Sequence, residues 1–351
     1  MIKELTDINI EKVVPVDTPR QIKEEIPLTY KAAEFVTNSR KTFRDIMDRK
    51  DDKLIVITGP CSIHDYDAAI RFGRKLKDLF EEVGDKIHLV MRTYFEKPRT
   101  IAGWEGLIHD PDMDGSCNIN EGYRVARRLL LELAEMGVPT ATEIVDIGCT
   151  PNYIDDLVGQ VCIGARTAES QYHRKVASGL SMPVSFKNTT GGDIQVAVDA
   201  VGRTALPSTL LGMDNDSRLT MIETKGHNYA CVVLRGGNGN PNYHPGAIDK
   251  TVNMLEAAGL KTNVIVDCSH KNSGKDYSRQ PAVWDDVIDQ RVSGNKNIIG
   301  LMLEANHLEG SQDFIYKKTD QSTLNPDMSV TDSCISIKTQ DKLIREAYRK
   351  L

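Results

Sequence analysis

A chain of 351 residues, 40% hydrophobic and 27% charged, can bury a full core as one large domain or as two ordinary ones. Its 44 basic against 50 acidic residues leave a net charge of −6, which argues against a nucleic-acid binder with its broad basic face. No apolar run approaches the roughly 20 residues of a membrane helix, and the charged start MIKELTDINIEK lacks the apolar centre of a signal peptide, so the expected location is cytoplasmic.

A charged segment of about fifty residues comes first. Short apolar, β-rich runs then recur. Strands are predicted at 53–58 (KLIVIT), 87–92 (IHLVMR), 139–144 (PTATEI), 161–166 (VCIGAR), 183–188 (PVSFKN), 231–236 (CVVLRG), 263–268 (NVIVDC) and 298–304 (IIGLMLE). Amphipathic stretches such as GYRVARRLLLELAEMG and IDKTVNMLEAAG lie between them, several ending at glycine as helices prefer. Alternation of strand and helix predicts a parallel sheet. Eight strands, nearly all apolar on both faces, predict closure into an α/β (β/α)8 TIM barrel spanning 51–351. The competing architecture is a doubly wound open sheet, but the phosphate-binding GxGxxG is absent after the first strand, which reads ITGPCSIHD. Three segments exceed a minimal barrel: an N-terminal extension over 1–50, a long loop over 93–120, and 205–224. The last predicts an inserted β-hairpin turning at DNDS.

Seven cysteines, at 61, 117, 149, 162, 231, 268 and 334, form no CxxC pair, so neither a zinc ribbon nor a thioredoxin-type site is indicated and reduced thiols are expected. In a barrel the chemistry sits at the C-terminal strand ends. Those ends carry Cys61, Arg92, Glu143, Arg166, Lys187, Arg235, His270 and Glu304. Any one of them reads alone as a surface residue or a buried thiol, but eight on one rim read as a site. Arg92, Lys97, Arg99, Arg166, Lys187 and Arg235 supply six positive charges, which suit two phosphates and a carboxylate, roughly five negative charges. Cys61, His270, Glu304 and a further oxygen donor, Asp332 in VTDSC, suit a divalent transition metal better than magnesium.

Eight motifs resemble those of the type I, microbial 3-deoxy-D-arabino-heptulosonate 7-phosphate (DAHP) synthases. They are GPCSIHD (59–65), MRTYFEKPRT (91–100) followed by GWEGLIHDPDMD (103–114), IGARTAESQYHRKVASGL (163–180), FKN (186–188), LRGG (234–237), DCSH (267–270) and EANHLEG (304–310). The resemblance runs from about residue 50 to the end. It implies a (β/α)8 barrel with an N-terminal extension and a hairpin after the fifth strand, joining phosphoenolpyruvate to erythrose 4-phosphate at the entry to aromatic amino acid synthesis.

The resemblance further implies that Cys61, His270, Glu304 and Asp332 hold one divalent metal ion, with manganese, iron or cobalt expected and zinc admissible. Arg92, Arg166, Lys187 and Arg235 are expected at phosphoenolpyruvate, Lys97, Arg99 and Thr100 at erythrose 4-phosphate, and Ala165 among the substrate-binding residues. Lys97, Glu143 and His270 are expected to take part in the chemistry, Lys97 as the proton donor and Glu143 as the group that positions water. An aromatic amino acid inhibitor and a homodimer or homotetramer are implied too, with the N-terminal segment reaching a neighbour. Leu210 and Gly212 fall where many relatives carry an aromatic residue and a serine, which predicts a wider effector cavity with one hydrogen-bond partner fewer. Two alternatives stay open: an octulosonate 8-phosphate synthase-like condensation with a five-carbon sugar phosphate, and a catalytically silent sugar-phosphate-sensing barrel.

Overall fold

The computed structural model describes residues 5–351. The chain runs α1 (Pro19–Glu25), α2 (Tyr30–Met47), β1 (Leu54–Gly59), α3 (Tyr66–Val83), β2 (Ile87–Arg92), α4 (Ile119–Met136), β3 (Thr140–Glu143) and α5 (Thr150–Ile154). It continues through β4 (Gln160–Ile163), α6 (Gln171–Ala177), β5 (Val184–Lys187), α7 (Gln195–Thr204), β6 (Ser208–Met213), β7 (Leu219–Thr224), β8 (Ala230–Leu234) and α8 (Pro245–Ala257). It ends with β9 (Val264–Asp267), α9 (Gln280–Val292), β10 (Ile298–Asn306), β11 (Ile335–Ser336) and α10 (Ile337–Lys350).

The parallel strands follow the order β1-β2-β3-β4-β5-β8-β9-β10, and β10 pairs back onto β1 through Gly300 to Ile55 and Glu304 to Gly59. That last pairing closes the barrel and excludes the open sheet. All eight predicted strands are present, and β6 and β7 form the inserted antiparallel hairpin with Ser208 opposite Thr224. Capping residues start the surrounding helices: Asp65 accepts from Ala68 N at α3, and Asn118 accepts from Glu121 N at α4. Gly137, at φ 85°, ends α4 in the left-handed conformation that glycine favours.

Strand parity decides which side chains reach the barrel axis. Leu54 and Val56 face the helices, whereas Ile55, Ile57, Val90, Ala141, Cys162, Val233, Ile265 and Met302 share the inner core. The N-terminal mouth is closed by α2, whose Phe43, Ile46 and Met47 belong to that inner cluster. Part of the charged first segment is therefore barrel floor, a role its composition does not advertise. The segment between β2 and α4 has no regular secondary structure, yet Trp104, Leu107, Ile108 and Met113 in it are buried. It is a packed loop tied by Trp104 Nε1 to Asp110 O at 2.8 Å.

Candidate active site

Two residues beyond the last inner-core position of six strands, the same inward parity delivers a charged group to the C-terminal mouth. Arg92 follows Val90, Glu143 follows Ala141, and Lys187 follows Ser185. Arg235 follows Val233, Asp267 follows Ile265, and Glu304 follows Met302. The mouth holds a cavity of about 540 Å³ lined by eleven of the thirteen residues expected at the site: Cys61, Lys97, Arg99, Thr100, Glu143, Ala165, Arg166, Lys187, Arg235, His270 and Asp332. Arg92 and Glu304 lie just beneath it, both buried, and pair at 2.9 Å.

That pairing revises the charge count. Arg92 is matched by Glu304, and Lys187 Nζ lies 3.0 Å from Asp267 Oδ2, so two of the six cations have buried partners of opposite charge. Lys97, Arg99, Arg166 and Arg235 remain to meet an anion, and Lys271 and Lys275, not anticipated from sequence, line the same cavity. Arg235 Nη1 is buried without a hydrogen-bond partner, which is costly unless a ligand supplies an acceptor. Arg166 Nε donates to Thr100 Oγ1 at 3.0 Å, joining a strand-end cation to the long loop, and within that loop Arg99 Nε donates to Trp104 O at 2.8 Å. Glu143 has its place because residue 164 is glycine: a Cβ there would sit 2.0 Å from Glu143 Oε1.

Beside the cations lie donors suited to a metal. The ligand atoms of Cys61, Glu304 and Asp332 lie within 4.8 Å of one another, and His270 Nε2 is 3.7 Å from Glu304 Oε1. Burial pushes the Cys61 thiol up, and Glu304 adds to that while Lys97 opposes it. Burial acts against ionisation of Asp332, but His270, Lys275 and Lys97 hold its carboxyl below the usual range. A divalent ion would relieve this gathering of thiol and carboxylates. His270, at φ 55°, is held in a turn by Asp267, whose Oδ2 lies 2.8 Å from Nδ1, with Ser269 Oγ 2.7 Å away. Nε2 is thereby the nitrogen left for a metal.

Sequence reasoning passed over three supports. Asp267 is fully buried and joins Lys187 to His270. An amide ladder holds the β8 end: Asn188 Oδ1 accepts from Arg235 N at 2.8 Å and from Asn242 Nδ2 at 3.1 Å, and Asn242 N donates to Asn272 Oδ1. Both Asp267 and Asn188 were visible inside DCSH and FKN, where a polar residue closing an apolar run is the signal. The third support is Glu96, buried beside Lys97, which accepts from Val145 N at 2.9 Å and Thr150 Oγ1 at 2.9 Å. His109 Nε2 lies 3.5 Å from Glu96 Oε1 and 3.4 Å from Asp146 Oδ2.

The hydrogen bond to Glu96 raises the His109 pKa, against burial, with Asp146 and Glu105 adding to it. A raised histidine pKa contributes stability that is complete below its unfolded value of about 6.5 and is lost as pH rises through the folded value. His109→Gln should therefore be less stable than the unsubstituted protein by a margin widest below about pH 6.5 and closing in alkaline solution. Denaturant unfolding at several pH values checks this, and a margin independent of pH would contradict it.

A closed parallel barrel with a cation-lined cavity and metal-capable donors at its C-terminal mouth defines a (β/α)8-barrel enzyme site for anionic substrates. The chain belongs to the DAHP synthetase I family, which it matches over residues 24–345. It is 45% identical over 347 residues to the Tyr-sensitive phospho-2-dehydro-3-deoxyheptonate aldolase of Escherichia coli, covering 99% of this chain and 96% of that one. It is 42% identical over 340 residues to the Phe-sensitive enzyme of the same organism, covering 97% and 95%. A solved phospho-2-dehydro-3-deoxyheptonate aldolase from Francisella tularensis superposes with a TM-score of 0.94 at 41% identity, covering 97% of this chain and 98% of that one.

Proposed function

We propose that this chain condenses phosphoenolpyruvate with erythrose 4-phosphate and water, giving DAHP and phosphate. The observation that carries the reading is the one cavity lined by Lys97, Arg99, Arg166 and Arg235 together with Cys61 and Asp332, whose ligand atoms group with that of Glu304 beneath. Two anions repel each other in water, and cations fixed beforehand in a partly enclosed site hold both at bonding distance. Cys61, His270, Glu304 and Asp332 would hold a divalent ion, which when bound supplies a Lewis acid for a carbonyl oxygen.

Arg166, Lys187 and Arg235 take phosphoenolpyruvate, with Arg92 beneath them and the Ala165 backbone alongside. Lys97, Arg99 and Thr100 take erythrose 4-phosphate. C3 of phosphoenolpyruvate attacks the aldehyde carbon, C2 gains positive character, water adds there, and phosphate leaves with its bridging oxygen. Glu143 is the carboxylate that orients the water, and Lys97 Nζ, 3.3 Å from Cys61 Sγ, is the proton donor to the new alkoxide. Consumption of phosphoenolpyruvate with erythrose 4-phosphate, compared with arabinose 5-phosphate, tests the reading: a faster rate on the five-carbon acceptor would overturn it.

The division of the cations has its own consequence. Arg166→Ala should raise KM for phosphoenolpyruvate and lower kcat together, whereas Arg99→Ala should act mainly on KM for erythrose 4-phosphate. Steady-state kinetics with each substrate varied decides it, and the reverse pattern would contradict the assignment.

Feedback inhibition by an aromatic amino acid is part of the same reading. A second cavity of about 130 Å³ lies between the hairpin and α5–α6, lined by Ile147, Pro151, Tyr172, Leu210, Gly212 and Ile222 among others. An apolar cavity of about 150 Å³ takes a benzene ring. A Cβ at Gly212 would sit 2.3 Å from Ile222 Cδ1, so Ile222 already fills part of the space that a serine would use. Tyrosine or phenylalanine should inhibit at or below millimolar concentration, and flat titrations with tyrosine, phenylalanine and tryptophan would contradict this without touching the catalytic reading.

A homodimer or homotetramer fits the surface. Val13 on the N-terminal segment and Leu219 and Met221 on the hairpin are exposed apolar residues that a second copy would cover. Among the described residues no helix is long and apolar enough to cross a membrane.

A further inference from the structure

The stretch MRTYFEKPRT sets two aromatic rings between its cations, and the substrate contacts proposed above use the cations and Thr100 but neither ring. Phe95 turns outward into the helix-covered core, whereas Tyr94 turns inward and roofs the inner core of the barrel. Tyr94 is fully buried. The Arg92 guanidinium carbon lies 3.9 Å from its ring centroid, Lys97 Nζ 5.7 Å and Lys187 Nζ 6.0 Å. Its hydroxyl has a soft neighbour, Met302 Sδ at 3.9 Å. Burial holds the phenol well above its ordinary pKa, so the ring is neutral.

We propose that Tyr94 is a positioning residue for the anion site, its ring gathering Arg92, Lys97 and Lys187 before a substrate arrives. The proposal rests on the reading of these three side chains as ligands of phosphorylated substrates. Cations brought together in an empty cavity repel, and something must hold them. Carboxylates do so for Arg92 and Lys187 through Glu304 and Asp267, but each further carboxylate would cancel charge the substrate needs. An aromatic face attracts cations through its quadrupole while carrying no net charge, so it gathers them without neutralising them. Lys97 depends on this most: its other contacts at the site are Cys61 O at 2.8 Å and Cys61 Sγ at 3.3 Å. The Asp332 carboxylate lines the same cavity and attracts this ammonium, and the ring supplies a competing hold on it.

Fluorination withdraws electron density from a ring face while leaving its shape nearly unchanged, so a graded series separates electrostatic positioning from filling of space. Tyr94→Phe, followed by mono-, di- and trifluorinated phenylalanine at the same position, is measured in the metal-loaded, full-length enzyme. Calorimetry reads the Kd of phosphoenolpyruvate and, in parallel, of inorganic phosphate, and thermal unfolding reads the fold. Tyr94→Phe should bind within about twofold of the unsubstituted enzyme, and each added fluorine should raise both Kd values by about twofold, with little change in Tm. A Kd that stays flat or tightens across the series overturns the proposal. Phosphate binding that follows the series while phosphoenolpyruvate fails to bind would support the ring's role and strike only the substrate assignment.

Discussion

Cys61→Ala is expected to lower turnover at least about 100-fold while leaving the protein folded, because loss of a second-sphere partner alone typically costs 10–100-fold in metal affinity or activity. Cys61 is buried but small, and it lies at the mouth above the packed inner core, so the loss in packing is slight. The other six cysteines lie outside the donor group, and Cys117 is exposed. Alanine at Cys117 or Cys149 should leave the rate within about threefold, the range of an ordinary surface change of roughly 0.5 kcal/mol. Elemental analysis paired with activity before and after exhaustive chelation checks the cause. Full activity in metal-free protein would contradict the metal assignment.

Asp267→Ala should cost on the order of 3–5 kcal/mol in stability, because it leaves the Lys187 ammonium buried without its partner. The same change frees His270 Nδ1 and should weaken metal binding by about 10–100-fold. Lys187→Met in the same background should recover part of the stability, since the stranded charge is then gone, but none of the metal affinity. Denaturant unfolding and metal titration of the single and double variants separate the two effects. A single variant as stable as the parent would show that Asp267 does not carry the pairing assigned to it.

The barrel was legible because each strand is buried on both faces and therefore reads as an unbroken apolar run, as LIVIT and VIVD do. The rim was legible because eight charged or metal-capable residues close successive apolar runs, although each alone reads as a surface residue or a buried thiol. Composition hid α2, whose polar surface masks the apolar end formed by Phe43, Ile46 and Met47 beneath the barrel. The sequence also could not show which cations were already neutralised. Arg92 and Glu304 lie 212 positions apart, and parity alone puts both on the inner face without saying that they touch. Glu96 and His109 escaped notice for a similar reason: their partners at Val145, Asp146 and Thr150 come from the segment that leads from β3 into α5. The departure at Gly212 was visible as a missing side chain, but the closeness of Ile222 Cδ1 to that position was not.

The central claim is a condensation in which carbon–oxygen cleavage releases phosphate from phosphoenolpyruvate after water adds at C2. Phosphoenolpyruvate carrying a heavy-oxygen label at the bridging position, turned over with erythrose 4-phosphate by the metal-loaded enzyme, tests it in one measurement by mass spectrometry of both products. The account predicts a seven-carbon product without the label and an equal amount of phosphate that carries it. Label retained in the sugar product, or no consumption of phosphoenolpyruvate in the presence of erythrose 4-phosphate, would contradict it.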